Sequence, residues 1–162
     1  MPDDPVPAIG EAARRRLAGD LFNHVWTLLD TEGRTPGQDV EMIHAAHASR
    51  HHWGEVGAPV NVARGEWQIS RVYATLGRGE PALFHAERCL ETCTAHGIGD
   101  FDLAYAHEAR ARALACLGRD GEARASLAAA RAVPIGDDED RAILEGDLDG
   151  GPWYGISVAA TA

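Results

Sequence analysis

The tripeptide Leu-Gly-Arg occurs twice in this chain, at 76–78 and 117–119, and an alanine follows each copy at the same distance, Ala82 and Ala123. Each copy separates two segments with helical apolar periodicity, and a glycine at such a point ends a helix. Each copy therefore predicts a turn between two antiparallel helices. One helix pair cannot bury its apolar face alone, so repeated pairs stack on one another. The repeat predicts a short α-solenoid.

The rest of the chain favours an all-α fold, because strong helix formers dominate its middle and no convincing run of alternating β-branched residues occurs. We expect a loose, proline-rich leader over 1–10, a helical domain of about three antiparallel pairs over 11–134, and an acidic short helix with a C-terminal tail over 135–162. The tail is either a disordered end or a strap docked on the bundle, and Trp153 and Tyr154 favour docking. The predicted helices span 11–30, 39–55, 60–76, 81–96, 100–118 and 121–133, with Asp100 as an N-cap.

Charge and composition exclude several classes of protein. The formal net charge of −10 repels phosphate backbones, so we expect no nucleic-acid partner. No apolar run approaches the roughly 20 residues of a membrane span, and the N-terminus lacks the pattern of a signal peptide. Three cysteines without CxxC spacing do not indicate a disulfide framework. We therefore expect a cytoplasmic protein, in which the Ala-rich sixth helix and the acidic tail either form a homodimer surface or cap the solenoid.

The spacing of small and large residues around the two turns resembles a known family. The positions that carry the likeness are Tyr73, Gly77, Ala82 and Ala86, repeated by Gly118, Ala123, Leu127 and Ala130. The chain resembles a divergent tetratricopeptide-repeat (TPR) protein over about 60–134, whereas in the first two helices the likeness rests on Gly33, Arg34 and helix length. The two turn glycines lie 41 residues apart, against about 34 in the family. Glu66 and His107 stand where the family has a large aromatic residue, and Ser70 and Ala111 replace its small glycine. These departures leave the fold inference intact but carry over no specific ligand motif.

The resemblance implies a concave face built from the first helix of each pair. The groove positions it implies are Arg64, Trp67 and Arg71 on the third helix and Tyr105, Glu108 and Arg112 on the fifth. Helical periodicity also places most of these residues opposite the apolar stripes, so we expect them to be exposed. An exposed Trp among Arg and Tyr is typical of a binding hot spot, and arginines can fork onto carboxylates. The groove predicts a module that binds a peptide, a partner protein or a small acidic ligand; the alternative is a solvated face with Trp67 packed on an Arg stem.

A second hypothesis rests on the histidines of the second helix. His44, His47 and His51 fall within about 60° of one another on a helix. Glu66 lies at the edge of the apolar stripe of the third helix, so we expect it to point toward the core or its border. Three imidazoles and a carboxylate suit Zn, Fe or Mn, and an open coordination position would permit metal-dependent catalysis. The alternatives are a solvated histidine-rich face and a Glu66 that pairs with Arg50.

Other chemistry has less support. A weaker cluster on the fourth helix comprises His85, Cys89, Cys93 and His96, but one straight helix cannot wrap four ligands around one ion. No GxSxG or Walker-type sequence occurs, so whether the chain is an enzyme stays open.

Overall fold

A computed structural model describes residues 8–156 of the chain. Within this range the chain forms seven α-helices and no strand. Their bounds are α1 Glu11–Leu29, α2 Pro36–Val56, α3 Pro59–Thr75, α4 Gly79–His96, α5 Asp100–Cys116, α6 Asp120–Ala132 and α7 Asp138–Asp149. The prediction of an all-α protein is confirmed. Most of the predicted leader, 1–7, and the end of the tail, 157–162, lie outside the described residues.

Consecutive helices pack as three pairs, α1 with α2, α3 with α4 and α5 with α6, and each pair also packs on the next through α2 with α3 and α4 with α5. The first helices of the pairs are in contact as well, α1 with α3 and α3 with α5, and α7 continues this row by packing on α5. The arrangement is that of a short α-solenoid, as expected. The row formed by α1, α3, α5 and α7 is called the inner face below.

The two Leu-Gly-Arg turns have the same backbone structure. Gly77 and Gly118 both adopt a left-handed φ of 70°. At each turn the arginine N–H donates to a carbonyl five residues back, from Arg78 to Tyr73 and from Arg119 to Leu114, each at 2.9 Å. This is the Schellman motif, which needs a residue that tolerates positive φ. The repeat in sequence is therefore a repeat in structure.

The local contacts at the starts of α2 and α5 differ from the prediction. Helix α2 begins at Pro36 rather than at 39, because Thr35 caps it: the Thr35 hydroxyl accepts from the Gln38 N–H, and the Gln38 side chain accepts from the Thr35 N–H. Asp100, predicted to be an N-cap, is instead the first residue of α5, with φ 54°. Its carboxylate accepts from the backbone N–H groups of Phe101 and Gly136.

The C-terminal segment is part of the fold. Asp137 caps α7 by accepting from the N–H groups of Glu139 and Asp140. Beyond α7, Trp153 and Ile156 are each 7% exposed and join the apolar cluster formed by α5, α6 and α7. The tail is therefore docked as far as Ile156. Among the described residues, no helix is both long and apolar enough to cross a membrane.

Candidate functional site

The inner face of the solenoid carries all six residues predicted to form the groove, but it divides them into two sets. Arg64, Trp67 and Tyr105 line an open pocket of about 280 Å³. Arg71, Glu108 and Arg112 form an ionic cluster beside it, in which Glu108 and Arg112 are buried and Arg71 is half-buried. The two sets meet at Trp67, whose indole N–H donates to Glu108 at 3.4 Å.

Aromatic side chains from three helices form the walls of this pocket, called the aromatic pocket from here on. They are Phe22 and Trp26 of α1, Trp67 of α3, and Phe101 and Tyr105 of α5. The ring centroids of Trp26 and Trp67 are 5.5 Å apart, and those of Trp67 and Tyr105 are 5.6 Å apart at 86°. Such distances and angles are those of favourable aromatic pairs. The rings therefore support one another while leaving space between α1, α3 and α5.

The polar groups of the pocket are already paired within the protein. Arg64 binds the carboxylate of Asp102 through two hydrogen bonds, at 2.7 and 3.0 Å, and the hydrogen bond to Asp102 raises the pKa of Arg64. The Tyr105 hydroxyl donates to Asp147 of α7 at 2.5 Å. Burial, followed by this hydrogen bond, raises the pKa of Tyr105, so the phenol stays neutral and acts as a donor.

Cys89 of α4 also lines the aromatic pocket. A hydrogen bond with Cys93 and burial both raise the pKa of Cys89, so its sulfur is a neutral thiol. The histidines of the predicted α4 cluster do not join it, because His85 binds Glu66 and His96 is exposed. Cys89 therefore contributes an apolar surface to the pocket.

The other half of the inner face is not the exposed groove expected from periodicity. Glu108 is fully buried, Arg112 is 2% exposed and Tyr105 is 7% exposed. Glu108 accepts from Arg112 at 2.6 Å and from Arg71 at 3.2 Å, so its charge is paired on both sides. A buried carboxylate is tolerated in a protein only with such partners.

The expected exposure fails because α7 and the segment after it cover α5. Arg112 donates to the backbone carbonyls of Asp147 and Pro152, and its guanidinium lies 4.2 Å from the ring centroid of Trp153. The Tyr154 hydroxyl donates to the carbonyl of Ala74 at the end of α3. The C-terminal segment thus occupies the part of the inner face on which a peptide was expected to bind.

The predicted metal set is not brought together. His44, His47 and His51 are all exposed on α2, whereas Glu66 is 4% exposed and faces Arg50 and His85, each at 2.7 Å. Over residues 8–156 there is no group of three or more His, Cys, Asp or Glu side chains that could hold a metal ion. Glu66 pairs with Arg50, which was the alternative partner expected from the sequence.

His85 was not assigned to Glu66 from the sequence, yet it is the centre of a polar and aromatic cluster. Its ring stacks on Tyr73, with centroids 6.0 Å apart, and meets His47 edge-on at 5.2 Å. Burial opposes ionisation of Glu66, but the hydrogen bonds from His85 and Arg50 outweigh it and lower the pKa of Glu66. Burial and then the neighbouring His85 lower the pKa of His47. The cluster ties α2, α3 and α4 together.

Several pocket residues had no role in the sequence-based prediction, namely Phe22, Trp26, Phe101, Asp102, Ile143 and Asp147. A signal was present for the first two. Phe22 and Trp26 are one helical turn apart, and each directly follows an apolar residue, Leu21 or Val25. They give α1 a second apolar face. A helix that packed only on α2 would not need this face, so it indicates contacts with a further element.

Comparison of the chain with models of protein families, with curated proteins and with solved structures found no match.

Proposed function

We propose that this chain is a divergent TPR-like binding module of the cytoplasm, and that its ligand is a small organic molecule held in the aromatic pocket. The observation that carries the proposal is the convergence of five aromatic side chains on an open space of about 280 Å³. Ligand sites are typically concave and mostly apolar, with few polar groups. The TPR-like assignment is supported by the stacked helix pairs and the matching turns at Gly77 and Gly118.

Among the ligands expected for the groove, a small molecule fits the inner face better than a peptide. A peptide bound along a concave face needs several open positions on successive helices, and α7 with Trp153 covers those of α5 around Arg112. The arginines that were expected to bind an acidic group already bind Asp102 and Glu108. The aromatic pocket between α1, α3, α5 and α7 remains accessible.

A fragment screen on the full-length chain tests this proposal. Ligand-observed NMR with a set of small neutral, cationic and anionic fragments would detect binders, and tryptophan fluorescence would measure their affinities. The matched variants are Trp26→Ala, which removes one wall of the pocket, and Phe84→Ala, which removes an aromatic ring that is 60% exposed on α4. We expect hits that weaken in Trp26→Ala and persist in Phe84→Ala. Hits that are equally strong in both variants, or no hits, would reject the pocket as a ligand site.

A further inference from the structure

We infer that the ligand of the aromatic pocket carries a positive charge, and that this charge is an alkylated ammonium group of the trimethylammonium type. The inference rests on the proposed function, because it names the chemistry of the molecule that would fill that pocket. Four properties of the pocket support it: the hydrogen-bond donors, the charges, the angles between the rings, and the scarcity of acceptors.

The donors in the pocket wall are directed toward protein carboxylates. The guanidinium of Arg64 is held by Asp102, the hydroxyl of Tyr105 by Asp147, and the indole N–H of Trp67 by Glu108. An anionic ligand would have to compete with these carboxylates for the same donors. A cation makes no such demand, so it can enter without breaking any of the three interactions.

The charges that line the pocket favour a cation. Arg64 and Asp102 neutralise each other, whereas Asp147 is bound by the neutral hydroxyl of Tyr105. Arg71 and Arg112 do not line the pocket, and their guanidinium groups face Glu108 in the adjacent buried cluster. The chain as a whole carries a formal net charge of −10. Such a charge raises the local concentration of cations at its surface.

The angles between the rings suit a compact, rounded group. Trp67 is inclined at 36° to Trp26 and at 86° to Tyr105, and Phe101 is inclined at 45° to Tyr105. A flat ligand makes full contact only between parallel walls, which these rings do not provide. A trimethylammonium group presents methyl groups in all directions, and the electron-rich faces of Trp and Tyr attract its charge.

An alkylated ammonium fits the pocket better than a primary one. A primary ammonium has three N–H donors and needs acceptors for them. Asp147 is the one carboxylate in the lining without a basic partner, and it already accepts from Tyr105. A trimethylammonium group has no N–H to satisfy, so it can rest against aromatic walls at a lower desolvation cost.

Three molecules of nearly equal shape test the charge directly: choline, its neutral analogue 3,3-dimethylbutan-1-ol, and the anion 3,3-dimethylbutanoate. Their affinities for the full-length chain would be measured by tryptophan fluorescence and calorimetry. We expect choline to bind about tenfold more tightly than the alcohol, and the anion to bind most weakly. Equal affinities, a reversed order, or no binding of choline would overturn the inference.

Two charge variants on α7 make the test specific. Asp147→Asn removes the carboxylate in the pocket and retains an acceptor for Tyr105, whereas Asp149→Asn removes an exposed carboxylate outside it. We expect Asp147→Asn to lower the affinity for choline several-fold and to leave the affinity for the alcohol unchanged. Asp149→Asn should alter neither affinity. Loss of both ligands in Asp147→Asn, with an unchanged melting temperature, would overturn the role of charge.

The same experiment separates the inference from the function on which it rests. If choline fails but neutral fragments bind and are lost in Trp26→Ala, the pocket is a ligand site and the inference of a cation is wrong. If no fragment of any charge binds, both are wrong. A short peptide with one trimethyl-lysine would be titrated in parallel, and tighter binding of the peptide than of choline would overturn the choice of a free small molecule.

Discussion

The guanidinium of Arg112 lies 4.2 Å from the centre of the Trp153 ring, and both side chains are buried. Trp153 belongs to the segment after α7, and its indole N–H donates to the carbonyl of Leu148 at 2.9 Å. The contact seals Arg112 and its partner Glu108 from water. The C-terminal segment is therefore needed to bury an ion pair that lies about 40 residues earlier in the chain.

Trp153→Ala should destabilise the protein by about 3–5 kcal/mol, because a buried aromatic ring is removed and a cavity remains. The change also exposes Arg112 and Glu108 to water. Urea unfolding followed by circular dichroism measures the effect, and Trp153→Phe, which retains an aromatic ring, should lose less. If Trp153→Ala is as stable as the parent chain, the Trp153 ring makes no net contribution to the stability of the folded state.

Glu108→Gln should also destabilise the protein, by about 3–5 kcal/mol, since it leaves Arg112 buried without its charge partner. The matched control is Glu122→Gln, which removes the same charge from an exposed pair with Arg119. We expect no measurable change in that control. Urea unfolding at neutral pH compares the two variants. Similar midpoints for both would mean that the buried cluster contributes no more than a surface ion pair.

Most of the helices could be predicted from the sequence because their signals are local. Gly77 and Gly118 mark helix ends in the sequence, and the hydrogen bonds that close these turns, donated by the N–H groups of Arg78 and Arg119, reach back only five residues. The capping pair of Thr35 and Gln38 is equally local, but the prediction did not use it and placed the start of α2 three residues too late. The exposure of side chains on the inner face was harder to predict, because it depends on residues that are distant in the sequence. Nothing within α5 indicates that Arg112 will be covered by Asp147 and Pro152.

The pocket shows the same division between local and distant information. The resemblance to a helical repeat placed Trp67 and Tyr105 on the inner face, and both are found there. Their function as pocket walls depends on Trp26, which lies 41 positions before Trp67 and contacts it only after two helix pairs have stacked. Helical periodicity gives the direction of a side chain, but it does not identify the side chain that will face it.

Stability should rise with pH around the ordinary pKa of histidine, 6.5, and His47 should account for part of this rise. Burial and His85 lower the pKa of His47 in the folded protein, while Glu66 opposes and His44 adds to the shift. The unfolded chain therefore binds a proton at a higher pH than the folded one, and stability is lost as the pH falls below 6.5. We would measure the free energy of unfolding by urea between pH 5 and 8. Its rise with pH should be less steep in His47→Gln than in the parent chain. An equally steep rise in both proteins would contradict the lowered pKa of His47.

Glu66 should affect the stability of the protein at a lower pH than His47 does, and the variant Glu66→Gln tests this. Its folded pKa lies below the ordinary value of 4.5, because His85 and Arg50 outweigh the effect of burial. The stability it contributes is complete above 4.5 and is lost as the pH falls through the lower folded value. Glu66→Gln should therefore be less stable than the parent at pH 7, and the difference should narrow below pH 4. A constant difference from pH 7 to pH 3 would show that the carboxylate charge is not involved.

Asp100 connects the backbone of α5 with the aromatic pocket. It holds a left-handed φ of 54° immediately before Phe101 and Asp102, both of which line the pocket, and its carboxylate accepts from two backbone N–H groups. Asp100→Ala should destabilise the chain by about 1–2 kcal/mol, because alanine tolerates this φ less well than aspartate, whereas the two exposed N–H groups can bind water instead. Asp100→Asn is the matched control, since asparagine tolerates positive φ and retains an acceptor oxygen. Thermal unfolding compares the variants, and fragment affinity should fall in Asp100→Ala alone. Equal loss of affinity in both variants would place the effect in the charge of Asp100 and not in the backbone that it holds.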